Sequence, residues 1–340
     1  MQTILVTGGA GYIGSHTLVE LLQNTDFRVV SLDNFSNSLE RSYERVQKIC
    51  KRNFETICLD LCDKTRLYEA LGQIGHIDGI IHFAAYKSVP ESVKEPLLYY
   101  HNNLTSLNNL LSYAVDNGIK HFIFSSSCSV YGNADDLPVT EASPLKKAES
   151  PYGHTKQVGE EMISFVSQAY PAFSAVLLRY FNPVGAHLSG LLGELPLNRP
   201  NNLVPIITQT AVGKNALTVF GKDYPTRDGS CIRDYIHVSD IADAHVKALD
   251  YLLSGKNKTR CSIFNLGTGT GISVLEAIAS FEKVSGKKLP YTIGGRRAGD
   301  VVSIYANNSL AKKELSWSPQ YGIDDMMLSA WKWQQHLETE

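Results

Sequence analysis

Residues 7–14 read Thr7-Gly8-Gly9-Ala10-Gly11-Tyr12-Ile13-Gly14 and join a short apolar run at 4–7 to a longer amphipathic stretch at 12–22. The first fits a strand and the second a helix. Gly8, Gly11 and Gly14 then occupy the strand-to-helix turn, where missing side chains let the backbone approach a pyrophosphate and the helix N-terminus offers N–H groups and positive potential. Nineteen residues past Gly14, Asp33 closes the next apolar run. A carboxylate there accepts hydrogen bonds from an adenosine ribose and repels a 2′-phosphate, which points to NAD rather than NADP as cofactor. A glycine-rich turn beside an unrelated aspartate is the plainer alternative, and the strand and helix context weighs against it. Asp60, after the third apolar run, has two equal readings: acceptor from the adenine amino group, or cap of a helix starting near Thr65. No Gly-Lys is followed by Ser or Thr, so a phosphate-binding loop of the NTPase type is not supported.

Outward from this motif the rhythm repeats. Strand-like runs at 29–32, 54–59, 80–83 and 122–125 alternate with helix-like stretches at 38–50, 65–71 and 98–115. Strands that read as unbroken apolar runs are buried on both faces, which predicts a doubly wound parallel α/β sheet of the Rossmann type. Past about Asn182 the periodicity breaks up around Pro183, Gly185, Gly190, Gly193, Pro196, Pro200, Pro205 and Pro225, and long irregular stretches in compact domains are usually functional. The expected organisation is a cofactor domain at 1–180 and a smaller α/β substrate domain at 181–340. Parts of 235–265 are expected to return to the first sheet, and an amphipathic helix is expected at 324–337.

The 340 residues carry 32 basic and 34 acidic side chains, a net charge of −2, without a basic block, so nucleic acid is an unexpected partner. The composition is 43% hydrophobic and 19% charged, enough apolar residues to bury a core. No apolar run approaches the roughly 20 residues of a membrane span. Six cysteines without a CxxC pair read as reduced thiols, and the N-terminus lacks the features of a signal or transit peptide, so the cytosol is the expected compartment. His237, Asp240, Asp243 and His245 crowd into HVSDIADAH, but helical spacing separates His245 from the two acids and Ser239 reads as an N-cap. No metal site is expected.

Candidate chemistry sits in YGHTK at 152–156. Ser150 and Pro151 suit the N-cap and first turn of a helix. Tyr152 and Lys156 follow four residues apart, on one face. A phenol with a pKa of about 10 needs a fall of about three units, about 4 kcal/mol, to act as a base at neutral pH. One cation at about 5 Å supplies roughly 3 kcal/mol at an effective dielectric of about 20. Lys156 together with an oxidised nicotinamide meets that requirement, whereas an exposed helical Tyr/Lys pair is the ordinary alternative. The run at 122–125 ends in Ser125-Ser126-Ser127, whose hydroxyls fall at the tip of a parallel strand, and Ser127 is the candidate to face the reacting hydroxyl. A simple serine-rich turn is the competing reading.

Together the TGGAGYIG turn, the serine strand end and YxxxK resemble the extended short-chain dehydrogenase/reductases. More narrowly, LDNFSNS, HFAAYKSVPESV, FIFSSSCSVYG, SPYGHTK, LLRYFNPVGAH, PNNLVP, FGKDYPTRDGSCIRDYIHVSDIADAH, FNLGTG and GRRAGD resemble, in order and over nearly the whole chain, the UDP-glucose 4-epimerase family. The resemblance implies an isomerase of UDP-hexoses that oxidises the sugar transiently at carbon 4 with tightly held NAD, lets the 4-keto sugar turn over, and reduces it from the other face. In that family Tyr152 is the base. Lys156 holds the nicotinamide ribose and lowers the phenol pKa, and Ser127 binds the carbon-4 oxygen. The resemblance places Gly8, Gly11, Tyr12, Ile13, Gly14, Asp33, Asn34, Asn37, Ser38, Asp60, Leu61, Phe83, Ala84, Lys87 and Asn102 around NAD. It places Tyr180, Phe181, Asn182, Asn202, Leu203, Phe220, Arg233, Tyr235, Arg297, Asp300 and Ile304 around the UDP-sugar. Of these, Arg233 and Arg297 also follow from chemistry, since an arginine fork can bind diphosphate oxygens in pairs.

Three positions depart from common relatives. His154 replaces a Lys and is expected to point away from Tyr152, and Cys128 replaces an Ala. Ile304 is intermediate between the bulky and small residues thought to decide whether an N-acetyl group fits, so UDP-N-acetylhexosamines stay open as substrates. Two rival readings remain. A 4,6-dehydratase or UDP-glucuronate decarboxylase of the same fold carries carboxylates before Val-Tyr-Gly, where this chain has Cys128 and Ser129. A non-catalytic NAD sensor has no use for Tyr152 and Lys156. Leu104, Leu107 and Leu111 on one helix and Met162, Phe165 and Val166 on another exceed what one sheet face needs, and relatives pair these helices, so a homodimer is expected.

Overall fold

The computed structural model describes residues 1–197, 200–297 and 301–340. Its first half runs β1 (Thr3–Thr7), α1 (Tyr12–Asn24), β2 (Arg28–Asp33), α2 (Arg41–Cys50), β3 (Glu55–Cys58), α3 (Lys64–Gly72), β4 (Gly79–His82), α4 (Val89–Lys94), α5 (Pro96–Asp116), β5 (His121–Ser127), a 3-10 turn (Cys128–Tyr131), α6 (Pro151–Ala169) and β6 (Ser174–Tyr180). The remainder comprises β7 (Asn182–Val184), α7 (Leu203–Ala211), β8 (Leu217–Phe220), β9 (Ile232–Arg233), β10 (Tyr235–His237), α8 (Val238–Leu253), β11 (Cys261–Leu266), β12 (Ile272–Ser273), α9 (Val274–Ser285), β13 (Tyr291–Gly294), β14 (Ser303–Ile304), α10 (Ser309–Leu315) and α11 (Ile323–Leu337).

Seven strands form one parallel sheet in the order β11-β6-β5-β4-β1-β2-β3. Successive residues of β1 serve opposite faces, as the two-residue period of a strand requires. Ile4 and Val6 pack against Leu18 and Leu21 of α1 and Ile241 and Leu249 of α8. Leu5 joins Leu67 of α3, Leu107 and Leu110 of α5 and Ile163 of α6. Burying each such side chain contributes about 1.5–3 kcal/mol, and helices on both faces are what a parallel sheet needs. The doubly wound α/β class read from the sequence is therefore the observed one. Chain order reverses between β1 and β4, so the loops leaving their carboxyl ends diverge and open a crevice there.

Past β6, β11 pairs with β6 and α8 covers the same face as α1. A second core gathers Val204 and Ile207 of α7, Val219 of β8, Phe281 of α9, and Met326 and Trp331 of α11. Short strand pairs, β7 with β10 and β8 with β13, hold this part together.

Several local expectations change. β3 is an edge strand with Glu55, Thr56 and Cys58 exposed, so it is not buried on both faces. Asp63, not Asp60, caps α3 by accepting from the Arg66 N–H. α8 is capped by His237, whose Nδ1 accepts from the Ser239 N–H at 3.1 Å, so Ser239 is not the cap. In HVSDIADAH, His237 Nε2 meets Ser329, Asp240 accepts from the Gln320 and Tyr321 N–H groups, and His245 Nδ1 meets the Ile241 carbonyl. Burial pushes the Asp240 carboxyl up to about 6. Of the helix residues expected to be spare, Leu107 and Leu111 are buried in the core and Met162 and Val166 pack against it; Phe165 stays 68% exposed. No helix among the described residues is long and apolar enough to cross a membrane.

Candidate active site

All the strand ends that matter lie at one edge of the sheet. Gly8 follows β1, Asp33 ends β2, Asp60 follows β3, Phe83 and Ala84 follow β4, Ser127 ends β5 and Tyr180 ends β6. Gly8 has φ +72°, and a Cβ there would lie 2.6 Å from the Ala84 nitrogen; a Cβ on Gly14 would lie 2.2 Å from the Gly8 carbonyl oxygen. These two glycines let β1, α1 and the β4 loop touch. Gly11 is different. It is the N-cap of α1 with no side-chain cap and no acid in the first turn, and a Cβ there meets only the Gly8 oxygen, at 3.2 Å. The bare helix end has the room and the dipole for a pyrophosphate, so these residues fit a dinucleotide.

Asp33 is buried and organises this end of the crevice. Its Oδ2 accepts from the Ala10 N–H at 3.0 Å, and its Oδ1 accepts from the Phe35 N–H at 2.9 Å and the Ser38 hydroxyl at 2.8 Å. Carboxylate oxygens have about four acceptor sites between them, so capacity remains for a ribose hydroxyl. Phe35 takes a left-handed φ of 55°, an uncommon conformation for a non-glycine that turns the loop back toward Ser38. Asn34 Nδ2 donates to Asp60 at 3.2 Å, while Asn37 is exposed on the same loop. The Leu61 carbonyl accepts from Asn109, and Phe83 packs 4.6 Å from the His245 ring. Asn102 donates to Asn103, which is buried and bonds Thr155 of α6 at 3.1 Å. Ile13 packs against the core, and Tyr12 donates to the Gly185 carbonyl at 2.7 Å, tying α1 to the second half.

α6 opens as expected: Ser150 Oγ accepts from the Gly153 N–H, with Pro151 in the first turn. Tyr152 and Lys156 are both buried beside the β5 end. Lys156 Nζ donates to the Ser125 carbonyl at 2.7 Å and sits 5.9 Å from the Tyr152 ring centre. Ser127 accepts from the Ser129 N–H at 3.2 Å. Its hydroxyl also meets the Tyr152 phenol. Burial raises the Tyr152 phenol well above its ordinary range, Tyr180 adds to the rise, and the Ser127 hydroxyl opposes it. Burial also lowers Lys156 to about 8 against the pull of Glu160. Desolvation thus works against the depression expected from Lys156 with an oxidised nicotinamide. His154 bonds Tyr100, away from Tyr152.

On the far side of the crevice, Phe181 and Ile304 share a small apolar cluster with Val130, Tyr131, Val139 and Ala306. Tyr180 bonds Ser125, and the Asn182 N–H donates to the Asp234 carbonyl. Arg233 donates to the Ile232 and Val301 carbonyls, and its charge reaches the Cys128 thiol, which burial raises to about 12. Arg297 lies 5.6 Å over the Phe220 ring. Asn202 stands at the N-cap position of α7, ahead of Leu203. Tyr235 packs in the second apolar core. Asp300 lies outside the described residues.

Two residues absent from the sequence reading join these groups. Glu194 accepts from Lys87 at 3.0 Å and from Asn202 at 2.9 Å, linking the two sides of the crevice. Asp234, fully buried, accepts from Thr268, Gly269 and Ala306 and so fixes the β11, β9 and β14 ends around Arg233 and Ile304. Neither follows a motif spacing. Only a carboxylate inside an otherwise apolar or irregular stretch marked them.

Comparison with known proteins agrees with this geometry. A family model described as NAD dependent epimerase/dehydratase matches residues 4–267. UDP-glucose 4-epimerase of Bacillus subtilis is 48% identical over 334 residues, covering 98% of this chain and 97% of that one. The human UDP-glucose 4-epimerase is 48% identical over 340 residues, covering 98% and 96%. Among solved structures, the UDP-glucose 4-epimerase of Bifidobacterium longum in complex with NAD+ and UDP superposes with a TM-score of 0.93 at 44% identity, over 98% of each chain. With a glycine cradle, a strand-end serine and a buried Tyr/Lys pair at one sheet edge, and matches running almost from end to end, the chain belongs to the NAD-dependent epimerase/dehydratase family.

Proposed function

We propose that this protein interconverts UDP-galactose and UDP-glucose by transient oxidation at sugar carbon 4. The observation that carries this reading is the convergence of Tyr152, Lys156 and Ser127 on one crevice with the glycine cradle, in a chain similar to UDP-glucose 4-epimerases over nearly its whole length. Gly8, Gly11, Gly14, Asp33, Asp60, Lys87 and Asn102 are the residues assigned to NAD. Held there, NAD would supply the hydride acceptor and donor for carbon 4 and, when oxidised, positive charge near the phenol. Ser127, whose hydroxyl meets the Tyr152 phenol, is the group assigned to bind the carbon-4 oxygen and align it with Tyr152. The phenol takes the hydroxyl proton during oxidation and gives it back during reduction, and the buried Lys156 ammonium favours its ionised form. Burial alone holds the phenol protonated. Charge therefore switches it between donor and acceptor.

Turning the sugar over requires a firm hold on the nucleotide and a loose one on the hexose. Arg233, Arg297, Phe220, Asn182, Asn202 and Leu203 are assigned to the nucleotide and diphosphate. Beside the hexose, Phe181 and Ile304 offer apolar walls that impose no fixed hydrogen-bonding geometry. Replacing Ile304 by Ala should raise turnover of UDP-N-acetylglucosamine relative to UDP-glucose by about tenfold, as a few methylenes of pocket space allow; competition between the two substrates, followed by NMR, checks it. A dehydratase or decarboxylase reading is not favoured, because a neutral Cys128 thiol and Ser129 stand where those reactions need carboxylates.

The direct test is to incubate the purified protein with UDP-galactose, without added NAD, and follow the sugar signals by NMR. Appearance of UDP-glucose supports the reading; no conversion even with NAD supplied overturns it. We also assign the protein to the cytosol, on its six free thiols, and to a homodimer formed through α5 and α6. Phe165 is exposed on α6, so Phe165→Glu should convert the dimer to monomer by light scattering at micromolar concentration. A monomeric wild-type protein is the contrary result.

A further inference from the structure

We propose that Glu160, paired with Arg179, is a positioning residue that holds Lys156 in its protonated, correctly aimed form. The inference deepens the epimerase reading and rests on its assignment of Lys156. Tyr152, Lys156 and Glu160 follow one another at four-residue steps on α6 and share one face of the helix. All three are buried, and so is Arg179 on β6. The Glu160 carboxylate receives the Arg179 fork in both oxygens, at 2.9 and 2.6 Å, and Oε1 also accepts from the Ser126 hydroxyl at 2.5 Å. Arg179 continues to the Tyr131 hydroxyl at 3.0 Å, and Tyr131 donates to Asn265 of β11 at 2.6 Å. The chain of bonds therefore stitches α6 to the ends of β5, β6 and β11.

The serine strand end shows why this matters to the reaction. Ser125 gives its carbonyl to Lys156, Ser126 turns its hydroxyl to Glu160, and Ser127 faces the phenol. Alternation along a strand sends Ser126 to the face opposite its neighbours. The carboxylate thus anchors the strand from behind while its two neighbours serve the crevice. Its charge also matters, because a buried ammonium survives only with a compensating anion. Among the described residues, Glu160 is the anion that acts on Lys156.

Other ionisable groups lie around the lysine, its phenol neighbour and the ion pair. They are Tyr152 on its own helix, His82 on β4, Tyr180 and Arg179 on β6, and Cys128 and Tyr131 on the 3-10 turn. Tyr99 of α5, bonded to Glu91 of α4, stands behind Tyr152, while Cys261 of β11 and Glu141 stand behind the ion pair. Burial lowers His82 to about 3 and raises the Cys128 and Cys261 thiols to about 12 and 11. It raises the tyrosines as well. Of these neighbours Lys156, at about 8, lies nearest neutral pH, and in NAD-loaded protein Tyr152 is the other group that the proposed mechanism brings into range.

The test reads the lysine itself. In NAD-loaded protein labelled with 13C-lysine, the Lys156 ε-carbon signal is assigned by its loss in Lys156→Met and titrated with pH. Glu160→Gln leaves two buried cations and should lower the midpoint by about one pH unit or more. Arg179→Met leaves the carboxylate one helical turn from the lysine without its counter-cation and should raise it. The double variant Glu160→Gln/Arg179→Met removes both charges and should return it toward the wild-type value. The high-pH limb of kcat should move with each midpoint while KM for UDP-galactose changes little. If Glu160→Gln does not fold, the opposite shift in Arg179→Met carries the test alone. Unmoved midpoints in the folded variants, with only melting temperatures lowered, overturn the proposal. Because the NMR titration does not depend on turnover, that failure is distinct from an absence of epimerase activity in the wild-type protein.

Discussion

Tyr152→Phe should leave a folded protein that still retains NAD but converts UDP-galactose to UDP-glucose at least about a thousandfold more slowly, within the range expected for losing a general acid and base. The substitution removes one oxygen from a ring that is already buried, and the ring's packing survives. Among the described residues, the phenol's hydrogen-bond partner is the Ser127 hydroxyl, which retains the Ser129 N–H. The stability cost should be about 1 kcal/mol, the usual size for one hydrogen bond. KM for the nucleotide sugar should change little, because the residues assigned to uridine and diphosphate lie on other elements. Steady-state kinetics beside a melting curve and a measurement of bound NAD separate the outcomes. Activity within tenfold of wild type would mean that the phenol is not the proton carrier, and a non-catalytic NAD sensor would then regain ground.

The electrostatic background of that experiment was hidden in the sequence. Helical spacing placed Tyr152 and Lys156 on one face, and Ser150-Pro151 marked where the helix begins; both are local properties of the chain. A Coulomb estimate from spacing asks Lys156 and an oxidised nicotinamide together to lower the phenol, and it leaves out burial, which works the other way. Burial depends on what folds over the pair, here the β5 end, α5 and β6, and no local pattern reports it. The Glu160–Arg179 pair was invisible for the same reason. Its partners come together only when β6 lies down beside β5 in the register that sets Ser126 opposite Arg179.

Elsewhere the legible and illegible parts divide along similar lines. The alternation of apolar runs and amphipathic stretches disclosed the sheet because both faces of β1, β4 and β5 are covered. It misjudged β3, since a strand's own sequence does not say whether it has one neighbour or two, and β3 has only β2. It misplaces the cap of α8, because the helix begins at Val238 and His237, with its neutral ring nitrogen accepting from the Ser239 N–H, takes the cap position expected of Ser239. Of the apolar residues it credits as spare on α5 and α6, Leu107, Leu111, Met162 and Val166 pack into the core against the sheet, while Phe165 stays exposed. In the second half, strands of two to four residues pair across long separations, as Ile304 does with Arg233, and carry too few residues to show a period.

The glycine turn, the most legible feature, also yields the sharpest separation of two roles. Gly14→Ala should impair both folding and cofactor retention, whereas Gly11→Ala should impair retention alone. At Gly14 the new methyl would stand 2.2 Å from the Gly8 carbonyl oxygen and 2.9 Å from the Gly9 Cα, both backbone atoms. That carbonyl cannot retreat easily. The Gly8 N–H is bonded to the Leu32 carbonyl at 2.7 Å, and the Ala84 backbone fills the space where a Gly8 Cβ would stand. The strain must move β1 or α1, and overpacking of this kind costs about 1–3 kcal/mol or more, which thermal denaturation will register. At Gly11 the backbone is at φ −71°, a conformation alanine adopts freely, and the methyl meets only one atom, at 3.2 Å. Its melting temperature without cofactor should stay within a few degrees of wild type. The methyl would nevertheless occupy the space at the bare N-terminus of α1 through which a pyrophosphate reaches the helix N–H groups. Affinity for NAD, measured by calorimetry on stripped protein, should fall by about a hundredfold, the loss expected when about 3 kcal/mol of charge-assisted hydrogen bonding is blocked. Unchanged NAD affinity in Gly11→Ala would move the pyrophosphate away from this helix, and with it the placement of the nicotinamide beside Tyr152.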